Sequence, residues 1–383
     1  MIRTLVASTQ EIDDTDLAVD ELFQQLDLAN NLLNNSIGII ACRTEYLETN
    51  IISNLSKTLP FDLVGATTIL GGSNKAFAPF VFTLYVITSD DAFFNSICIK
   101  DINTENFEEK VKESTQDLIT KNLKMFLMYA PLDTDLTSDR LLNVIDGLTE
   151  ETIPVFGQVA ISHYPDSSNS MTIFNNTFAL HNLVLVAISG NVTPKFTIAN
   201  VEENHIKKER GLITKSCNNI VEEINGASAI SYLENIGYEN DLNAEGLSVI
   251  PLVLSYPELT LPITRSVFSI TKEGWIVLGG DAPMNIPVSI SYTNTKDVGD
   301  ITENELKKHN ESEDFHGCLI YSCIARYHIL GLTNNIEYEK CKEILIDKNF
   351  VFSYSGGEIC PIKTKNGKWK NFLHNHSIVM LGF

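Results

Sequence analysis

Positive charge is scarce in this chain. Lysine and arginine number 28 against 49 aspartates and glutamates, for a formal net charge of −21. Such a surface repels phosphate backbones and anionic lipid, which excludes nucleic acid as the main partner. Long apolar runs are missing too. The longest, around 77–87, contains Pro79 and falls short of a spanning helix, so no membrane insertion is expected. The opening MIRTLVAST has too short an apolar core for a signal peptide. Seven cysteines without regular spacing make neither a disulfide framework nor a zinc signature, and they fit a reducing cytoplasm. No P-loop, GxGxxG, GxSxG or HExxH pattern occurs.

What is present is a well-stocked core. Hydrophobic residues make up 44% of 383 positions, more than one ordinary core needs, so two domains or a duplicated one is expected. Along the chain, a short strand (residues 1–10) precedes a helix capped by Asp16, with Val19, Leu22, Phe23, Leu26 and Leu33 on its apolar face. A unit then recurs. Strand Ile37–Cys42, a helix with Leu47, Ile51, Leu55 and Leu59, a strand ending LVGATT and a hairpin FVFTLYVITSD–FFNSICIKD make the first copy. KMFLMYAP, SDRLLNVIDGL, IPVFGQVA and the hairpin HNLVLVAISGNVTPKFTI make the second, with Gly65 and Gly157 at matching points. The pattern returns after Cys318. The expectation is an α/β protein, α+β being the alternative. Residues 1–225 would hold the duplication (36–101 and 122–200), and 226–383 would form a second domain.

Chemistry concentrates in the last sixty-odd residues. The apolar run from Cys318 to Ala325 reads as a strand buried on both faces, with Arg326 at its carboxyl end, where ligands bind in open α/β sheets. Asn334 would cap the following helix with Glu337 three positions on, a capping glutamate or a ligand contact. Strand Phe350–Tyr354 runs into Gly356 and Gly357, which permit a close approach just before Glu358. His374, Asn375 and His376 precede a closing strand. In a strand the two histidines would share a face, and with Glu358 they could hold a metal, although hydrogen-bonded histidines near a sheet edge are the commoner outcome. Arg326 could equally close the sheet through a salt bridge to Glu337 or Glu358. Arg265, alone on a strand, reads as a surface residue or a weaker site candidate.

The order C-x-x-R, a helix with an internal glutamate, GGEICP, then HN before a last strand resembles the C-terminal half of FIST proteins, a two-part sensory domain of bacterial and eukaryotic signalling proteins. LVGATTILGG and ISGNVTPKFTI resemble its N-terminal half, and NNIVEEINGASAISYLENIG its central segment. The resemblance implies a FIST-N-like and a FIST-C-like region, small-ligand recognition with amino acids the proposed class, and a signalling partner protein. It makes Arg326, Glu358, His374, Asn375, Gly357, Glu337 and Arg265 the ligand-site candidates. Arg326 would take a carboxylate, Glu358 an ammonium and Asn375 an amide. With no kinase, receiver or methyl-accepting segment visible, a stand-alone sensory subunit without a cofactor is expected. Two alternatives remain. One is an enzyme with Glu358 and His374 as acid–base pair and Cys323 or Ser355 as nucleophile. The other is a haem-based gas sensor, although none of the eight histidines lies in a haem attachment motif.

Overall fold

Strands whose residues are apolar on both faces must be covered on both, and this requirement organises the molecule. The computed structural model describes residues 2–150, 152–163, 168–238, 244–311 and 315–383. A first set of elements comprises β1 (Ile2–Thr9), helix Thr15–Leu26, β2 (Asn35–Cys42), helix Ile51–Thr58, β3 (Leu63–Thr67), β4 (Gly71–Ser73), β5 (Phe77–Ala78) and β6 (Phe82–Ser89). The same order follows in β7 (Ala92–Ile99), helix Phe107–Gln116, β8 (Leu123–Ala130), helix Ser138–Asp146, β9 (Val155–Val159), β10 (Thr172–Phe174), β11 (Thr177–Ala179) and β12 (Leu183–Gly190).

A third set begins with β13 (Lys195–Ala199) and is interrupted by seven strands: β14 (Gly211–Cys217), β15 (Ile220–Ile224), β16 (Ala227–Ser228), β17 (Pro251–Leu254), β18 (Ile263–Ile270), β19 (Ile276–Leu278) and β20 (Pro287–Ile290). It resumes with helix Thr295–Glu311, β21 (Gly317–Cys323), helices Ile324–Leu330 and Ile336–Ile344, β22 (Asn349–Ser355), β23 (Glu358–Lys363), β24 (Trp369–His374) and β25 (Ile378–Gly382).

Three six-stranded sheets result, ordered β1-β6-β2-β3-β10-β11, β7-β12-β8-β9-β23-β24 and β13-β25-β21-β22-β4-β5. Each holds one parallel pair (β2 with β3, β8 with β9, β21 with β22) joined by a helical crossover, and the remaining pairings are antiparallel. The chain is therefore α/β. In every sheet the short hairpin at one end comes from another set, so the three sheets are laced together in a ring. One face of each sheet enters a shared core containing Ile39, Leu127, Tyr321 and Val379. The opposite faces are covered by that set's own helices, giving three outer cores. The inserted strands make a separate sheet with its own core, and the pairing of β14 with β15 closes it on itself, leaving only the short β16 outside the closure. Residue 225 lies in this insert, in the turn between β15 and β16.

The two matching glycines occupy equivalent positions. Gly65 faces Ile40 and Gly157 faces Met128 across the parallel pairs. A Cβ at either would run into the carbonyl oxygen of that partner, so the close approach itself demands glycine.

Several local expectations change. The segments read as long hairpins split, because β6 joins the first sheet and β7 the second, while β12 and β13 likewise part. In the three six-stranded sheets the hairpins among the described residues are the short β4–β5, β10–β11 and β23–β24. Asp14, not Asp16, caps the first helix by accepting from the Leu17 N–H at 3.0 Å, and that helix ends before Leu33.

Candidate functional site

The strand from Cys318 stops at Cys323, which places Arg326 inside the helix Ile324–Leu330 rather than at a strand end. It is 2% exposed. Its guanidinium meets Glu337 at 2.8 and 2.9 Å, the Thr302 hydroxyl at 2.7 Å, and the carbonyls of His376 and Val298 at 3.3 Å. Glu337 also accepts from Ser322 at 2.8 Å and Thr302 at 2.9 Å. The helix that carries it starts at Ile336 with no side-chain cap, so Glu337 is turned inward to the arginine and is no capping residue. A buried charge pair needs every remaining lone pair and proton satisfied, and this set supplies the partners.

Glu358 does not pair with Arg326. It opens β23 fully buried, held by the hydroxyls of Ser355 and Ser377, each at 2.7 Å. Burial pushes its carboxyl up to about 8. Directly across the ladder lies His374, whose Nε2 meets the Cys360 carbonyl at 3.0 Å. Burial drives this imidazole down to about 3, so it is neutral and Nε2 donates. Among the described residues no hydroxyl or thiol is its partner; Ser355 donates to Glu358, and burial raises the Cys323 thiol far above its ordinary range. His376 has φ of 56°, outside strand geometry, so the two histidines do not form the same-face pair expected of a strand.

Asn375 accepts from the Ser266 N–H at 3.1 Å, and its amide nitrogen, buried without a partner, lies over Gly357. Arg265 is 1% exposed rather than a surface residue. It meets Asp139 at 2.7 Å and the carbonyls of Asp281 and Leu373, fastening the inserted sheet to the second. The structure thus buries Arg326, Glu337, Glu358, His374, Asn375 and Arg265, with protein partners for both arginines and both carboxylates.

A cleft of about 850 Å³ opens beside the helix Ile324–Leu330. It lies beyond the carboxyl ends of all three parallel pairs, the crevice position of open α/β sheets. Arg43 follows β2, Leu132 follows β8 and Ile324 follows β21; Ile69, His163 and Gly356 follow the paired strands. Backbone bonds from Ile161 to Thr67 (3.1 Å), Gly356 to Val159 (3.0 Å) and Tyr354 to Leu70 (3.0 Å) tie these ends to one another. Phe268 and Ser269 of β18 form the far side. The helix Ile324–Leu330 links the two layers, presenting Tyr327 and His328 to the cleft and Arg326 to the buried network.

Arg43 is a cleft residue that sequence reasoning passed over. Its guanidinium meets Glu45 at 3.3 Å and lies over the Phe80 ring at 4.5 Å, while Nε is buried without a partner. Glu45 also meets His163 at 3.4 Å. The signal was available, since Arg43 directly follows the apolar run Ile37–Cys42, the same position that drew attention to Arg326.

The model described as FIST N domain matches residues 36–227, and that described as FIST C domain matches 231–361. No curated protein matches the chain. A mixed α/β chain matched by these two halves falls in the class of signal-transduction sensory domains. The chain belongs to the FIST family.

Proposed function

We propose that the protein is a cytoplasmic sensor that binds an amino acid or similar small metabolite in the cleft and passes its occupancy to a signalling partner. The observation that carries this reading is Arg43 at the mouth of three converging strand ends, with an unpartnered Nε. The cleft volume lies in the range of small-molecule sites. A ligand carboxylate supplies the planar acceptor that a guanidinium fork fits. In this reading Arg326, Glu337, Glu358, His374, Asn375 and Arg265 fix the wall behind the ligand and hold Gly357 and the helix Ile324–Leu330 in place. Seven free cysteines support a reducing compartment.

A thermal-shift screen against the common amino acids tests the proposal. A ligand at a hundred times its dissociation constant adds about 2.7 kcal/mol of stability. The stabilisation should disappear in Arg43→Gln while the unliganded melting temperature stays close to that of the parent. A screen in which no amino acid shifts the transition would refute the reading.

A further inference from the structure

The protein has 49 acidic residues, and its other surface hollows show them: Asp13, Asp14 and Asp16 line one, Glu105, Glu108 and Glu109 another. Among the described residues the cleft is lined by no aspartate or glutamate. Its walls are mainly apolar and aromatic, with Phe77, Phe268 and Tyr327 from three separate segments and Ile69, Ile161 and Ile324 between them. The permanent cation of this lining is Arg43. Apolar walls reward a bulky hydrocarbon group, while a carboxylate taken from water must find a charged partner at once. A ligand carrying only an ammonium would leave Arg43 without an added carboxylate, and the nearby Glu45 carboxylate already meets Arg43 and His163.

Resting on the reading of this cleft as a small-ligand site, we infer that it selects a carboxylate joined to a large apolar or aromatic body, with Arg43 taking the carboxylate. Two sources share that chemistry: large apolar α-amino acids and simple aryl- or alkyl-carboxylic acids. Glu45 distinguishes them, because it stands beside Arg43 and His163 where an α-ammonium would need a partner.

Calorimetric titration of the full chain tests this with L-phenylalanine, 3-phenylpropionate, phenethylamine, glycine, L-glutamate and L-lysine. Phenylalanine or phenylpropionate should bind at least about tenfold tighter than the other four, and Arg43→Gln should weaken that binding by at least about tenfold. Phe268→Ala, a half-buried position, should weaken it as well without loss of cooperative melting. Weaker binding of phenylalanine but not of phenylpropionate to Glu45→Gln identifies the amino acid as the source; phenylpropionate binding at least as tightly as phenylalanine, with neither affected by Glu45→Gln, identifies the simple acid. Glutamate, lysine or phenethylamine binding as tightly as phenylalanine overturns the inference and leaves small-ligand sensing standing. No binding of any carboxylate at millimolar concentration overturns both.

Discussion

Arg326 and Glu337 are worth most when one of them is removed. Both are almost fully buried, and their remaining polar atoms are spoken for by Thr302, Ser322 and main-chain carbonyls. Arg326→Ala strands a carboxylate in the core, which typically costs about 3–5 kcal/mol. Urea denaturation should show a loss of that size, and one below about 1 kcal/mol would mean that the pair is not structural. Glu358 makes a different prediction. Its folded carboxyl keeps the proton up to about pH 8, whereas an unfolded one releases it near 4.5. Its contribution is therefore complete below the unfolded value and is lost as pH rises through the folded one. His374 and His376, both driven down to about 3 by burial, work in the opposite direction but finish by pH 6.5, and Asp146, raised to about 6 by burial, is done by then. From pH 6.5 to 8 stability should fall by at most about 1.4 kcal/mol per pH unit. Glu358→Gln should flatten that limb, and equal slopes for the two proteins would refute the assignment.

At the scale of elements, what the sequence disclosed and what it hid have separate physical causes. Two-sided burial wrote itself into runs such as Ile37–Cys42 and Cys318–Cys323, so central strands were legible. Gly65 and Gly157 marked the close approach of two parallel backbones, because any side chain there collides. Partner choice was not legible. The turn at Asp90 looks like a hairpin turn, yet β6 and β7 go to different sheets, since each finds its ladder with strands distant in sequence. Which side of a short helix faces inward was equally hidden. Arg326 and Tyr327 are neighbours in one helix, but the first enters the buried network and the second the cleft. A cation directly after a buried apolar run is legible in the sequence, and Arg43 after the run 37–42 carries that mark as Arg326 does after 318–325.

For the whole molecule, the lacing of the sheets decides how it can be divided. The shared core draws on all three, and from the third it takes Leu319, Tyr321, Val351, Val379 and Leu381, each no more than 1% exposed. Burying an apolar side chain of this size contributes roughly 1.5–3 kcal/mol, so five of them match much of the 5–15 kcal/mol that holds an ordinary domain together. A fragment of residues 1–225 would lose them. It would also leave β13 without β25, the hairpin β4–β5 without β22, and the edge of β9 without β23. Bare edges of that kind are sites of aggregation. Although a family boundary falls near residue 227, the fragment 1–225 should therefore show no cooperative thermal transition by circular dichroism, while the full chain should unfold its three sheets together. A fragment that melts sharply and stays monomeric would show that the first two sheets suffice, and the ring would then be a docking of independent parts. The distinction bears on sensing. In a ring whose strand ends all reach one cleft, a ligand bound there contacts every sheet and stabilises the molecule as a whole, which is what thermal shift reads.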